Sequence, residues 1–218
     1  MGGRRGLANS GDNYKKKQLR MQTSNQALFM NTPNSLRHLF LGLALATLTN
    51  LSWAAFPQKV QTAGADLQLN GQGIRYRAIF KVYEMALYTP LPASTAEQLL
   101  AMPGPKRISF VALRQLPGTD LGMAFMKGLS ANSTKEQVQR HLASTNRLIE
   151  IFSGKSKLVP GDDFAMEYHP GKGTQFFILG QSQGAPVGDE EFFQMVLRIW
   201  VGSSPADMLL KDALLAGK

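Results

Sequence analysis

The stretch Gly73-Ile74-Arg75-Tyr76-Arg77-Ala78-Ile79-Phe80-Lys81-Val82-Tyr83-Glu84-Met85-Ala86-Leu87-Tyr88-Thr89-Pro90 decides how the rest of the chain is read. Side chains on a strand alternate between faces. The even positions Ile74, Tyr76, Ala78, Phe80 and Val82 form a nearly unbroken apolar row, the side expected against a core. Among the odd positions, Arg75, Arg77 and Lys81 are cationic toward one end, while Ile79, Tyr83, Met85 and Leu87 are apolar over the rest. A face of that kind suits an amphipathic anion. The plainer alternative has Arg77 and Lys81 facing water and a bulge swapping the faces near Glu84. On one straight strand Arg75 and Tyr83 would stand about 26 Å apart, at roughly 3.3 Å per residue. They meet only if the chain bends sharply around Arg77 to Ile79, where there is no glycine.

Upstream, Ala65 to Leu69 alternates apolar and polar residues before Asn70-Gly71, a hairpin-turn dipeptide, so two strands are expected to meet there. Gly71-Gln72-Gly73 lacks the third glycine and the following helix of a dinucleotide fingerprint. Downstream, Pro90 and Pro92 end the strand, because proline cannot donate to a ladder. Ser94-Thr95-Ala96-Glu97 has capping-box spacing and predicts a short helix that Pro103-Gly104-Pro105 stops. Ile108, Phe110 and Ala112 alternate in the next strand, which is expected to close at Pro117-Gly118.

Thr119 is expected to cap a helix through Met123, Phe125 and Met126. Ser133-Thr134-Lys135-Glu136 predicts the longest helix, with Val138, Leu142, Ile149 and Phe152 on its buried stripe. Phe164, Met166 and Tyr168 alternate in a strand that Gly171-Lys172-Gly173 turns into a hairpin with Thr174 to Leu179. A further strand is read around Ala185 to Val187. Asp189, Glu190 and Glu191 place negative charge at a helix start, and Phe193, Val196, Leu197 and Trp200 form that helix's inner side. Ser204-Pro205 is expected to begin the last helix. Strands in hairpins and helices in clusters predict an α+β fold, with a mostly antiparallel sheet covered on one face.

The formal charge of +9 is unevenly distributed. Met1 to His38 carries seven basic residues against Asp12 alone, leaving 17 basic and 14 acidic residues from Ala55 onward. That balance gives little support to nucleic-acid binding by the folded part. The 218 residues include no cysteine, which excludes a disulfide framework, a thiolate metal site and a thiol nucleophile. His38, His141 and His169 have no partner at metal-ligand spacing. No nucleophile elbow or phosphate loop occurs, and no metal or cofactor is expected.

Arg37 and His38 precede the apolar run Leu39 to Leu51, and Ser52-Trp53-Ala54 follows it. This is the layout of a signal peptide, with cleavage expected after Ala54. The run is shorter than the roughly 18 to 20 apolar residues of a membrane span. Residues 1–54 are therefore read as an N-terminal extension and signal peptide, and residues 55–218 as the folded domain. Periplasmic or secreted localisation follows, with transient membrane contact during export. The alternative is an uncleaved Leu39 to Leu51 segment anchoring the domain to the inner membrane. Met21 and Met30 are alternative starts.

The Gly73-Ile74-Arg75 segment, Phe80-Lys81-Val82-Tyr83 and Ala86-Leu87-Tyr88-Thr89-Pro90 resemble the strand pair that carries the ligand site in the chalcone isomerase-like family, above all its bacterial secreted branch. Pro103-Gly104-Pro105-Lys106-Arg107, Leu158-Val159-Pro160-Gly161-Asp162 and Leu197-Arg198-Ile199-Trp200-Val201-Gly202 before Ser204-Pro205 extend the resemblance from Phe56 to the C-terminus. It implies an open-faced β-sandwich, a curved, mostly antiparallel sheet with helices packed on one face and the ligand between them. The plant isomerases of that family use an arginine, a threonine, a tyrosine, an asparagine and a late hydroxyl. Arg75 matches the arginine and Tyr83 takes the threonine position. The other three fall near Leu121, Gly128 and Phe193, which weighs against isomerase activity. In the fatty-acid-binding relatives an arginine and a tyrosine together hold a carboxylate.

The expectation is thus an exported, non-catalytic protein binding a fatty acid or similar amphipathic carboxylate, with Arg75, Tyr83, Ile79, Met85 and Leu87 at the ligand. The alternatives are an isomerase or intramolecular lyase acting on an enone through Arg75 and Tyr83, and a ligand-free interaction domain. Partner proteins are not specified by any motif.

Overall fold

The stretch Gly73 to Pro90 folds as parts of two strands joined by a tight turn, not as one strand. A computed structural model of the chain describes residues 56–216, so the expected leader over residues 1–54 lies outside the described residues. Strand β1 (Lys59–Thr62) turns through Ala63 and Gly64, both at positive φ, into the long β2 (Ala65–Arg77). Ala78 and Ile79 then turn the chain into β3 (Phe80–Thr89), with Arg77 paired to Phe80. Ala78 holds φ 54°, the left-handed value that a two-residue hairpin needs at its first turn position and that glycine usually supplies. The apolar row of even positions is therefore split: Val82 is buried, but Tyr76 and Phe80 are exposed beside the turn.

Two bulges bend this hairpin. Arg75 pairs with Tyr83 and Tyr76 with Lys81, so Val82 has no partner on β2. A bulge near Glu84 belongs to the plainer alternative, and this one falls at Val82. The second corrects the sequence reading of Asn70-Gly71. Leu69 pairs with Tyr88 and Gly71 with Leu87, leaving Asn70 as a bulge within β2 and not a turn. Its side chain donates to the carbonyls of Ala93 at 2.9 Å and Leu214 at 2.7 Å, and accepts from the Ala93 amide at 2.7 Å. Gly71 is required because a Cβ there would lie 2.2 Å from the Ala213 carbonyl oxygen. The dipeptide thus serves close approach, not chain reversal.

The sheet runs β1-β2-β3-β4-β7-β8-β9 and is antiparallel throughout, with β4 (Lys106–Ala112), β7 (Asp163–His169), β8 (Gly173–Ile178) and β9 (Gln181–Ser182). A separate small ladder joins β5 (Leu116–Pro117) to β6 (Lys157–Leu158). The strand read around Ala185 to Val187 is reduced to one bridge between Thr174 and Val187. The β7–β8 hairpin matches the sequence reading.

Helix α1 (Ala96–Ala101) is capped by Thr95, whose hydroxyl accepts from the Gln98 amide, one residue later than the expected Ser94. Helix α2 (Gly118–Ala131) begins at Pro117 without a side-chain cap, so Thr119 lies inside its first turn. The predicted longest helix is two. Thr134 and Gln137 form the capping box of α3 (Lys135–Arg140), and His141 separates it from α4 (Leu142–Ser153). The break re-phases the stripe: Thr145, Leu148, Ile151 and Phe152 are buried while Leu142 is exposed. Asp189 caps α5 (Glu190–Val201) by accepting from the Phe192 amide at 3.0 Å. Asp207, not Ser204-Pro205, starts α6 (Met208–Leu214).

Helix α5 is buried almost all round, through Phe192, Phe193, Met195, Val196, Leu197, Ile199, Trp200 and Val201. These side chains join Tyr83, Met85 and Leu87 of β3, Ile108 and Phe110 of β4, and Phe164 and Met166 of β7 in one core. Alternation puts Ala86 and Tyr88 on the other side of β3, where they pack with Phe56 and Leu67. Helix α6 covers the edge of β2 beyond β1, through Leu214 at Asn70 and Asp207 at the Tyr76 amide. Covering that edge removes a strand-pairing surface. An antiparallel sheet with helices against one face is the open-faced β-sandwich the sequence predicted.

Candidate functional site

The sharp bend that the Arg75–Tyr83 pairing needs is supplied by the Ala78–Ile79 turn. Arg75 and Tyr83 are register partners across β2 and β3. Directly opposed residues share a face, and the Arg75 guanidinium carbon lies 5.5 Å from the centre of the Tyr83 ring. The arginine is half-buried, and its Nε is enclosed without a hydrogen-bond partner among the described residues. A buried, unmatched donor of this kind is costly unless something accepts from it.

Tyr83 is only 4% exposed. Phe110 and Phe164 meet its ring edge-to-face, at 5.3 and 6.3 Å between centroids. Trp200, from α5, donates its indole N–H to the Tyr83 hydroxyl oxygen at 2.7 Å. Burial raises the phenol above its ordinary value, while the charge of Arg75 and hydrogen bonding from the Trp200 and Arg75 side chains pull the other way. The hydroxyl is therefore protonated at neutral pH. With its oxygen accepting from Trp200, its own proton remains to be donated.

The nearby carboxylate is that of Asp207, whose charge is felt at Tyr83. Its oxygens are occupied by the Tyr76 amide at 2.8 Å and the Leu210 amide at 3.2 Å. Among the described residues Arg75 forms no ion pair within 4.0 Å. The pair thus offers an N–H and an O–H to an acceptor, and the nearby Asp207 carboxylate is already engaged by two backbone amides. That chemistry fits holding an anion.

Met85 and Leu87 continue the Tyr83 side of β3 and are buried in the same core. Ile79 does not belong with them. It sits on the hairpin turn at 85% exposure, because the chain reverses where a continuous strand had been assumed. Leu121 and Phe193, at two of the positions where the resemblance implies polar groups, are buried core residues. At the third, Gly128, a Cβ would lie 2.7 Å from Ile199 Cγ2, so α2 and α5 pack directly against each other there. Three of the polar groups of the plant isomerases have no counterpart at these positions.

The sequence reading counted Trp200 only as a core residue. Its signal was available: a buried indole N–H seeks an acceptor. Asp207 was missed because its two roles, helix cap and partner of a strand amide, come from elements far apart in sequence.

The fold is a bulged antiparallel sheet with helices on one face, and it sets a cation beside a buried phenol. The family model for chalcone isomerase-like proteins matches residues 49–216, and the chain belongs to that family. No curated protein sequence matches it. Among solved structures, a fatty-acid binding protein of Arabidopsis thaliana is similar in fold. It aligns with a TM-score of 0.56 at 16% identity, covering 73% of this chain and 90% of the other.

Proposed function

We propose that this protein is a non-catalytic carrier, binding a fatty acid or similar amphipathic carboxylate at Arg75 and Tyr83. The observation that carries the reading is the opposed pair itself, with the buried Arg75 Nε–H lacking a partner and the Tyr83 proton free to donate. A carboxylate has two oxygens and would accept both. The Arabidopsis protein of similar fold, described as fatty-acid binding, supports the same class of ligand.

With Tyr83 enclosed by aromatic rings, the head group approaches from the half-buried Arg75. Affinity comes from the tail, at about 0.8 kcal/mol per buried methylene. The charge-assisted hydrogen bond adds roughly 1.5 to 3 kcal/mol and sets orientation. Enone isomerisation is the weaker reading, since Leu121, Gly128 and Phe193 stand where that chemistry has polar groups. The leader-like sequence of residues 37–54 supports a location outside the cytoplasm.

Native mass spectrometry of the protein as isolated, with mass analysis of the lipids extracted from it, tests the function. The proposal expects stoichiometric fatty acid or a related carboxylate. Ligand-free protein that also fails to take up added fatty acid would count against it. N-terminal sequencing of the mature protein from fractionated cells tests export, with a new terminus at Ala55 expected.

A further inference from the structure

We propose that the tip of the β2–β3 hairpin docks on an anionic lipid surface. The turn exposes Ile79 at 85% and Phe80 at 58%, and Tyr76 beside them at 40%. Ile79 in particular is almost fully in solvent and adds nothing to the core. Within the hairpin tip the charges share one sign: Arg77 and Lys81 are exposed on the two arms, and no acidic residue occurs from Arg75 to Tyr83, while the Asp207 carboxylate is held at the Tyr76 amide behind the turn. Arg114, exposed after β4, holds its guanidinium carbon 5.6 Å from the Phe80 ring centre.

The Asp207 contact to the Tyr76 amide brings the first turn of α6 to the same hairpin, and that turn exposes Met208 and Leu209. Apolar tips ringed by cations are matched by a bilayer interface, where rings and aliphatic chains enter the acyl boundary and basic groups meet lipid phosphates. An acidic protein surface would satisfy the charges but leave Ile79 and Phe80 in water. Docking in this way sets Arg75 roughly 10 Å from the turn, at about 3.3 Å per residue. The inference stands apart from what Arg75 and Tyr83 bind, and its test does not depend on any ligand.

The chain has no cysteine, so Ile79→Cys takes a single environment-sensitive fluorophore. Lys172→Cys, in the β7–β8 turn at the opposite end of the sheet, gives a reference position. The full chain is titrated with phosphatidylcholine vesicles and with vesicles of phosphatidylcholine and phosphatidylglycerol in equal amounts. A local probe reads the hairpin even if the Leu39 to Leu51 segment also binds lipid.

The expected result is a blue shift and gain of intensity at position 79 with the anionic vesicles, and little change at position 172. Combining Arg77→Glu, Lys81→Glu and Arg114→Glu should raise the lipid concentration for half-response roughly 100-fold, from the attraction each basic residue contributes. Salt at about 1 M, where the Debye length is about 3 Å, should reverse the response without any mutation. A silent probe at position 79, or a response equal in both vesicle types and indifferent to charge reversal and salt, would overturn the proposal. A response that follows protein concentration without vesicles would do so as well, by assigning the tip to self-association.

Discussion

The indole N–H of Trp200 donates to the hydroxyl of Tyr83 at 2.7 Å, joining the penultimate helix to the strand that carries the candidate site. Both partners are buried. This bond fixes the ring of Tyr83 and turns its oxygen into an acceptor, so the phenol proton is left for another acceptor.

Removing either half of that bond leaves the other unmatched in the core. Tyr83→Phe should cost about 1 to 3 kcal/mol of stability, because the Trp200 N–H then lacks an acceptor. Trp200→Phe should cost at least as much, since it also removes packed ring atoms. In a double-mutant cycle by denaturant unfolding, a coupling of about 1 kcal/mol is expected. A coupling indistinguishable from zero would show that the bond contributes nothing.

Ala78 stands at φ 54° in the turn that brings Arg75 to Tyr83. For an L-residue that conformation costs roughly 1 to 2 kcal/mol, a cost glycine escapes. Ala78→Gly should therefore raise the unfolding free energy measured by denaturant titration, by up to about 1 kcal/mol after the entropy of the unfolded glycine is counted. Gly71→Ala should do the reverse. Its Cβ would meet the Ala213 and Leu214 carbonyl oxygens at 2.2 and 2.5 Å, so α6 must shift away from β2. A loss of about 1 to 3 kcal/mol is expected, and faster hydrogen exchange over residues 208–214 should accompany it.

These two positions show why the decisive stretch was only half legible. Alternation, the β7–β8 hairpin and the inner side of α5 follow from local pattern, and they were read correctly from Phe164, Met166, Tyr168, Phe193 and Trp200. The turn at Ala78 was called for only by the pairing of Arg75 with Tyr83, because an alanine at positive φ carries no compositional mark of its own. Asn70-Gly71 carried the mark of a turn and forms a bulge, since the Asn70 side chain is held by Ala93 and by Leu214, 144 residues away. The split at His141 escaped for the same reason, as tertiary contacts of that residue with Glu191 are invisible to helix periodicity. Arg75 and Tyr83 were named from the sequence through a family resemblance, whereas Trp200 and Asp207 act through distant partners.

Glu191 links α3 to α5. It accepts from His141 at 2.9 Å, from Arg140 at 2.6 Å and from Gln137 at 3.2 Å. These bonds, that of His141 foremost, hold its carboxyl down at about 2 against an ordinary value of 4.5. A depressed carboxylate contributes stability above its unfolded value and loses it as pH falls toward the folded one. Glu191→Gln should thus be less stable than the wild type at neutral pH. The gap should close between about pH 4.5 and 2. A difference that stays constant over this range in urea unfolding would argue that the carboxylate charge is not what matters.

Displacement of a fluorescent fatty acid from the wild-type protein and from Arg75→Ala tests the carrier role most directly. The wild type should bind saturably, and Arg75→Ala should bind roughly 10- to 100-fold more weakly, the range set by one charge-assisted hydrogen bond. Circular dichroism should be unchanged in the variant. No saturable binding to the wild type, or equal affinity in Arg75→Ala, would contradict the assignment of Arg75 and Tyr83 as the carboxylate site.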